Sequence, residues 1–200
     1  MERLHDALRG ITRVSAWFAG ALIMLAAIII GVDIVLRTVF VKSIGGADEL
    51  AGYALAIGTA WGLGIAFVDR ANIRIDSLYG FFPRALRLVL DFIGLGLFIG
   101  FFTLAGWHGW GVVAQSLKSG SRSQSALQVP LAVPQILWIA GLAVSLLVGV
   151  ILLVMAAVLI ARGRPGDATR VISTRSAQEE VAEELAAAHA RHAAPLTKGR

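Results

Sequence analysis

The stretch that decides the fold is DIVLRTVFVKSIGGADELAGY, residues 33–53, because it places charged side chains between two long apolar runs. Its charged members are Asp33, Arg37, Lys42, Asp48 and Glu49. Charged side chains at the edge of a hydrocarbon layer are costly unless they pair, extend to the headgroups or face another protein surface. Asp33 and Arg37 are four residues apart, so on a helix they share a face and can form an ion pair. The pattern indicates a polar connection between two membrane-spanning helices.

The composition is that of a membrane protein. Hydrophobic residues make up 57% of the 200 residues and charged residues 16%, whereas a soluble domain carries about 25% charged residues. The apolar residues form runs long enough to cross a bilayer, which takes roughly 20 residues. We therefore predict an all-α integral membrane protein whose membrane domain, residues 1–162, has four spans. The predicted spans cover residues 14–36, 50–68, 83–117 and 133–161. The third is about 50 Å long as a helix, so we expect it to tilt or to project from the membrane.

Lysine and arginine are unevenly distributed among the segments that connect the spans. The N-terminus, the second loop and the start of the tail together hold eleven of them, and the first and third loops hold four. Because positive charge accumulates in cytoplasmic segments, both termini are predicted to be cytoplasmic. The placement of aromatic residues agrees, since Trp17 falls at one predicted interface and Tyr53, Trp107, Trp110 and Trp138 fall toward the other.

Two segments outside the spans also carry a pattern. In the second loop, Ile75, Leu78, Tyr79 and Phe82 recur at helical spacing, which predicts a short helix in the cytoplasmic interface between spans 2 and 3. We expect Arg74 and Asp76 to anchor that helix to lipid headgroups; a re-entrant turn is the alternative. Residues 163–200 are predicted to be a mobile or partly helical cytoplasmic tail.

Small residues recur at helical spacing in the second span. Gly52, Ala56, Ala60 and Gly64 form one row, and Gly58, Gly62 and Ala66 form another. Such rows let helix backbones approach closely in lipid. Packing within this four-helix unit and contact with another subunit are both consistent with them.

The sequence offers little for chemistry within the spans. It has no cysteine, and His108 lacks the paired histidine that a membrane haem needs. Asp33 and Asp91 each have an arginine four residues away, Arg37 and Arg87, so ion pairing explains them better than proton relay or cation binding. We therefore expect no catalytic residues, no metal and no cofactor in this chain, and a membrane enzyme or redox subunit is disfavoured.

Three tracts at span boundaries carry a family resemblance. They are DIVLR at 33–37 with GGADELAGYAL at 45–55, RANIRID at 70–76 continuing as SLYGFFP to residue 83, and GSRSQSALQVPLAVPQ at 120–135. In this order they resemble the small membrane subunit, or DctQ-like component, of tripartite ATP-independent periplasmic (TRAP) transporters. The resemblance covers roughly residues 10–160.

The resemblance implies a function in secondary transport across the bacterial inner membrane. A periplasmic binding protein would deliver a solute, commonly an organic acid, to a large permease subunit that holds the substrate and sodium sites. The small subunit would be a scaffold for that permease, which we expect to be a separate polypeptide. A membrane scaffold or assembly factor unrelated to transport is the alternative, and only its partners would distinguish it.

The resemblance and the residue patterns together give a hypothesis for the polar stretch. We expect Asp33, Arg37, Asp48 and Glu49 to fix the helix geometry and to meet the large subunit or the binding protein. Gly52, Gly58 and Gly62 are expected to provide close packing. Exchanging the charges of Asp33 and Arg37 is predicted to restore uptake that either single change abolishes.

Overall fold

The computed structural model describes residues 2–69 and 82–172 together with residues 181, 185 and 186. Its elements are α1 (Glu2–Phe40), α2 (Ala47–Val68), α3 (Arg84–Ser119), α4 (Ala132–Ala161) and α5 (Pro165–Ile172). The first four are long and apolar enough to cross a membrane. For the residues that the structure describes, the prediction of an all-α protein with four spans is therefore confirmed. The predicted interfacial helix, with Arg74 and Asp76, and most of the tail lie outside the described residues.

The first helix is longer at its start than the apolar run that predicted it. It begins at Glu2, whereas the predicted span begins at residue 14. Leu8 is 3% exposed and Thr12 is fully buried. Leu8 belongs to a hydrophobic cluster with Val68 and Val148. The polar start of α1 is thus held in helical form by tertiary packing, which hydropathy alone does not report.

The four long helices lie side by side in the order α1, α2, α4, α3. In the most apolar stretch of each helix, 39% of α2 and of α4 is buried, against 17% of α1 and 6% of α3. The second and fourth helices are therefore central, and α1 and α3 form the two edges. The edge helices present large apolar side chains outward, such as Leu97 and Phe101. Lipid or an apolar helix of another protein can cover such faces.

One hydrophobic cluster defines the end at which α1 and α3 begin and α2 and α4 end. Its buried members are Leu8, Val68, Leu95, Val148, Leu152 and Met155. Beside it, the rings of Phe67 and Phe98 pack with their centroids 4.1 Å apart. We call this the basic end, because arginines follow or precede the spans here. The opposite end, formed by residues 33–53 and 119–131, is called the polar end.

A short fifth helix follows the last span and packs back against the basic end. The chain reverses at Gly163, whose φ of 71° is a left-handed conformation that suits glycine. Ala168 is then fully buried in a cluster with Ala156 and Leu159. Residues 165–172, at the start of the predicted tail, therefore form a helix docked on the last span.

Candidate partner-binding surface

Asp33 is the centre of the polar end. Asp33 is 3% exposed, and both oxygens of its carboxylate have polar partners. Arg37 Nε lies 2.6 Å from Oδ2, while Oδ1 accepts hydrogen bonds from the Ser43 hydroxyl at 2.9 Å and from the Ile44 backbone N–H at 2.7 Å. Hydrogen bonds to an ionised acceptor are stronger than neutral ones. Asp33 therefore fastens the loop of residues 41–46, here called loop 1, to the end of α1.

This geometry changes one expectation from the sequence. The Asp33–Arg37 ion pair exists, but the aspartate also accepts the N–H of Ile44. An arginine at position 33 has only donors, so it cannot replace that bond. Exchanging the two charges is therefore not expected to restore the loop, even though it preserves an ion pair.

Arg37 also reaches the start of α2. Its Nη2 atom lies 3.7 Å from Oδ2 of Asp48, whose side chain is 85% exposed. An exposed pair at this distance contributes little to stability. Asp48 instead lies in the first turn of α2, where a negative charge favours the positive end of the helix dipole.

Loop 1 packs directly on the segment between α3 and α4, residues 120–131, here called loop 3. Gly46 has a φ of 143°, and a Cβ atom there would lie 2.6 Å from Leu127 Cδ1. Gly45 has a φ of 68°, and its Cβ would lie 3.5 Å from Cβ of Ala126. The two glycines therefore supply both the backbone conformation and the space that the contact between the loops requires.

A second polar contact joins α2 to loop 3. Tyr53 donates its hydroxyl hydrogen bond to Glu49 Oε1 at 2.6 Å, one helical turn away. The Glu49 carboxylate also interacts with the hydroxyls of Ser125 and Ser123. Glu49, like Asp33, thus links a helix to a loop, in this case through the hydroxyl groups of Ser123 and Ser125.

Loop 3 is held by its own hydrogen bonds. The Ser123 N–H donates to Val129 O at 2.9 Å, and the Leu131 N–H donates to Ser121 O at 3.0 Å. The Ser123 hydroxyl accepts the Val129 N–H at 3.1 Å. A loop in which backbone donors are satisfied internally keeps a defined shape, so the polar end presents a fixed surface.

The predicted glycine rows of α2 have different surroundings. Gly58 is buried against α1, and a Cβ there would lie 3.2 Å from the Ala19 carbonyl oxygen. Gly62 has space for ordinary contact with Ala19, and Gly52 is exposed with no described atom within 4 Å of its Cβ position. Gly58 therefore provides close packing within the chain, whereas Gly52 remains available to another molecule.

The central contact between α2 and α4 combines hydrogen bonds with close packing. Trp61 Nε1 donates to Leu137 O at 2.9 Å, and the Ser145 hydroxyl donates to Ala60 O at 2.9 Å. Gly141 faces Trp61 so closely that a Cβ would lie 2.9 Å from the Trp61 backbone nitrogen and closer still to Cδ1 of its ring. These three contacts fix α2 against α4.

The remaining polar candidates form no metal centre in the part of the chain that the structure describes. No group of three histidine, aspartate or glutamate side chains there is placed to hold a metal ion. His108 is exposed on α3 beside Trp107, which is 78% exposed. Arg87 donates to Phe82 O at 2.8 Å, and its predicted pairing with Asp91 stays a prediction.

Sequence reasoning missed several residues that complete the polar end. Ser43 and Ile44 bind Asp33, Leu127 packs on Gly46, and Ser123 and Ser125 meet Glu49. All five lie in loops, where no periodicity assigns partners. The one available signal was the adjacent glycine pair at 45–46, which marks a backbone turn.

These observations define a class of protein: a multi-pass helical membrane protein whose polar side chains fix its own helices and loops. The family model described as "Tripartite ATP-independent periplasmic transporters, DctQ component" matches residues 26–159. The chain belongs to this family and is therefore a small membrane subunit of a TRAP transporter. This is a family of transporter components and not a family of enzymes. No curated protein and no solved structure matches the chain significantly.

Proposed function

We propose that this chain scaffolds the large permease subunit of its transporter. The permease is a separate chain that takes up an organic acid, delivered by a periplasmic binding protein, with the inward movement of ions. Substrate and sodium sites lie on the permease, so the small subunit needs no cofactor of its own.

The observation that carries this proposal is that the key polar groups are engaged within the chain. Asp33 makes three polar contacts, and Trp61 and Ser145 each bond a carbonyl of the neighbouring helix. A subunit whose own helices and loops rearranged during transport would have to break such contacts in each cycle. Engaged polar groups and close helix packing are better suited to a static support.

The proposed location is the bacterial inner membrane, with both termini in the cytoplasm. Arg9, Arg13, Arg87 and Arg162 lie near helix termini at the basic end. Excess positive charge favours the cytoplasmic side. The polar end then faces the periplasm, where loops 1 and 3 can meet the binding protein or the outer face of the permease.

The exposed small residues of α2 are the proposed contact for a helix of the permease. Gly52, Ala56 and Thr59 are exposed on this helix near the polar end. Small side chains let a neighbouring backbone approach closely in lipid. This proposal gives Gly52 a role that the packing of this chain alone does not require.

An affinity pull-down from membranes in mild detergent tests the scaffold proposal. We expect a larger multi-pass protein to be recovered with the wild-type chain. Gly52→Leu should weaken that recovery without unfolding the chain, because its Cβ position is open. Gly111→Leu on α3 is the matched control, since its Cβ position is equally open. Recovery of the chain alone would refute the scaffold role; equal recovery with both variants would refute the Gly52 contact only.

A disulfide test addresses the orientation. The Cβ positions of residues 45 and 126 are 3.5 Å apart, which is within the range of disulfide-bonded cysteines. Because the native chain has no cysteine, Gly45→Cys with Ala126→Cys gives a single possible bridge, and the left-handed backbone at residue 45 costs the new cysteine about 1–2 kcal/mol. Disulfides persist in the oxidising periplasm and are rare in the cytosol. We expect the bridge to form in cells; a pair that stays reduced in cells but closes after membranes are oxidised would show the opposite orientation.

A further inference from the structure

A groove runs along the outer face of α1 beside α2, starting at the basic end. It has a volume of about 550 Å³, and its lining includes Arg13, Trp17, Gly20, Met24 and Ile65. This volume lies within the range of small-molecule sites, about 300–1,000 Å³. Trp17 is 75% exposed and Met24 is 64% exposed. The groove is therefore an open apolar channel with a cation at one end.

The dimensions of the groove match one leaflet of a bilayer. Arg13 and Met24 are separated by three helical turns, or about 16 Å along the axis. Half of a hydrocarbon core about 30 Å thick is about 15 Å. With Arg13 at headgroup level, Trp17 falls in the interfacial zone that tryptophan prefers, and Met24 falls near the middle of the bilayer.

The charge at the mouth of the groove distinguishes its occupant. Arg9 and Arg13 are one turn apart and both exposed, and neither has a carboxylate within 4 Å among the described side chains. An apolar helix of a partner would offer these guanidinium groups no counter-charge. A lipid phosphate would supply that counter-charge, since arginine binds phosphate through paired hydrogen bonds. Basic pockets beside membrane helices also bind anionic headgroups.

We propose that this groove binds an anionic phospholipid, with an acyl chain along Gly20 and Met24 and the headgroup phosphate at Arg13. The proposal goes beyond the scaffold function and depends on the orientation only for the leaflet, which would be the cytoplasmic one. The lipid would fill a gap at the contact between α1 and α2 that no side chain of either helix fills.

Native mass spectrometry of the full chain tests the site, with phosphatidylglycerol and phosphatidylcholine as probes. We expect a preference for phosphatidylglycerol that falls about fivefold in Arg13→Gln, since one basic residue near a membrane surface contributes about that factor. Arg162→Gln is the control for charge, because Arg162 is exposed at the basic end outside the groove. An equal loss of preference in both variants would overturn the site.

The proposed contact between the groove and the acyl chain is tested by a separate pair of variants. Gly20→Phe should lower retention of both lipids, because its side chain would enter the groove; no described atom lies within 4 Å of its Cβ position. Gly31→Phe on the same helix is equally open and lies outside the groove, so we expect it to leave retention unchanged. Identical retention in the two variants would overturn the proposal.

A last measurement separates lipid from a partner helix. A spin label on Met24→Cys reports collisions with oxygen, which is concentrated in lipid, and the native chain has no cysteine to interfere. We expect the collision rate to be the same in the isolated chain and in the complex with the permease. A marked fall in the complex would mean that the permease covers the groove, and the lipid proposal would be wrong. The scaffold proposal would be unaffected, because it is tested by recovery of the permease in the pull-down.

Discussion

The substitution Gly141→Ala tests the contact between α2 and α4 most directly. The added Cβ would lie 2.9 Å from the Trp61 backbone nitrogen and 2.8 Å from its Nε1. Rotation of the indole can relieve the second contact, but only separation of the helices can relieve the first. Separation of α2 from α4 would lengthen the hydrogen bonds from Trp61 to Leu137 and from Ser145 to Ala60, both 2.9 Å in the native chain.

The expected cost follows from three contributions. Overpacking a close contact costs about 1–3 kcal/mol. Hydrogen bonds between membrane helices contribute about 0.6 kcal/mol each on average, so weakening two of them costs about 1 kcal/mol more. Replacing glycine by alanine in a helix returns up to about 1 kcal/mol. The free energy of unfolding should therefore fall by about 2 kcal/mol.

Gly149→Ala is the matched control for this substitution. It lies on the same helix, and its Cβ would be 3.4 Å from Ile99 Cγ1, which is ordinary van der Waals contact. Unfolding of the purified chain in mild detergent, followed by tryptophan fluorescence, should show Gly141→Ala unfolding first and Gly149→Ala close to wild type. If both variants unfold together, close packing at Gly141 does not stabilise the fold.

Two further predictions concern single side chains. Asp33→Ala should raise the hydrogen-exchange rate of the Ile44 amide about tenfold or more, because a hydrogen bond to a charged acceptor is lost. Arg37→Ala should change that rate little, since the carboxylate remains, and equal rates in the two variants would refute the role of Asp33. Ser145→Ala should lower the free energy of unfolding by about 0.6 kcal/mol, measured as for the glycine variants, because its bond joins two helices. Thr59→Ala removes a hydroxyl that bonds only within its own helix, and a larger effect there would contradict this interpretation.

The sequence predicts the spans well because their signal is local. Long apolar runs are required by the bilayer, and the helices at 47–68, 84–119 and 132–161 begin and end close to the predicted bounds. The Asp33–Arg37 pair is equally local, since it depends only on spacing along one helix. Such features are fixed before any tertiary contact forms.

What the sequence does not predict is which surfaces meet. Small residues on α2 indicate close packing, but not that Gly58 faces α1 while Gly52 stays exposed. Hydrogen bonds from Ser43 and Ile44 depend on how loop 1 returns toward α1. The docking of α5 depends on Ala168 finding a space beside Leu159. Each of these is a tertiary contact between segments without a shared periodicity.

The order in which the four long helices lie side by side has a consequence for how the protein assembles during synthesis. Each edge helix packs on its neighbour in sequence, α1 on α2 and α3 on α4, so each half of the protein is a helical hairpin of local contacts. Local contacts form early, and each hairpin can close as it leaves the ribosome. Joining the halves then uses the Trp61, Gly141 and Ser145 contacts, the hydrophobic cluster at the basic end and the packing of loop 1 on loop 3. Two fragments expressed separately, with the break between residues 69 and 82, should reassemble in the membrane through these contacts.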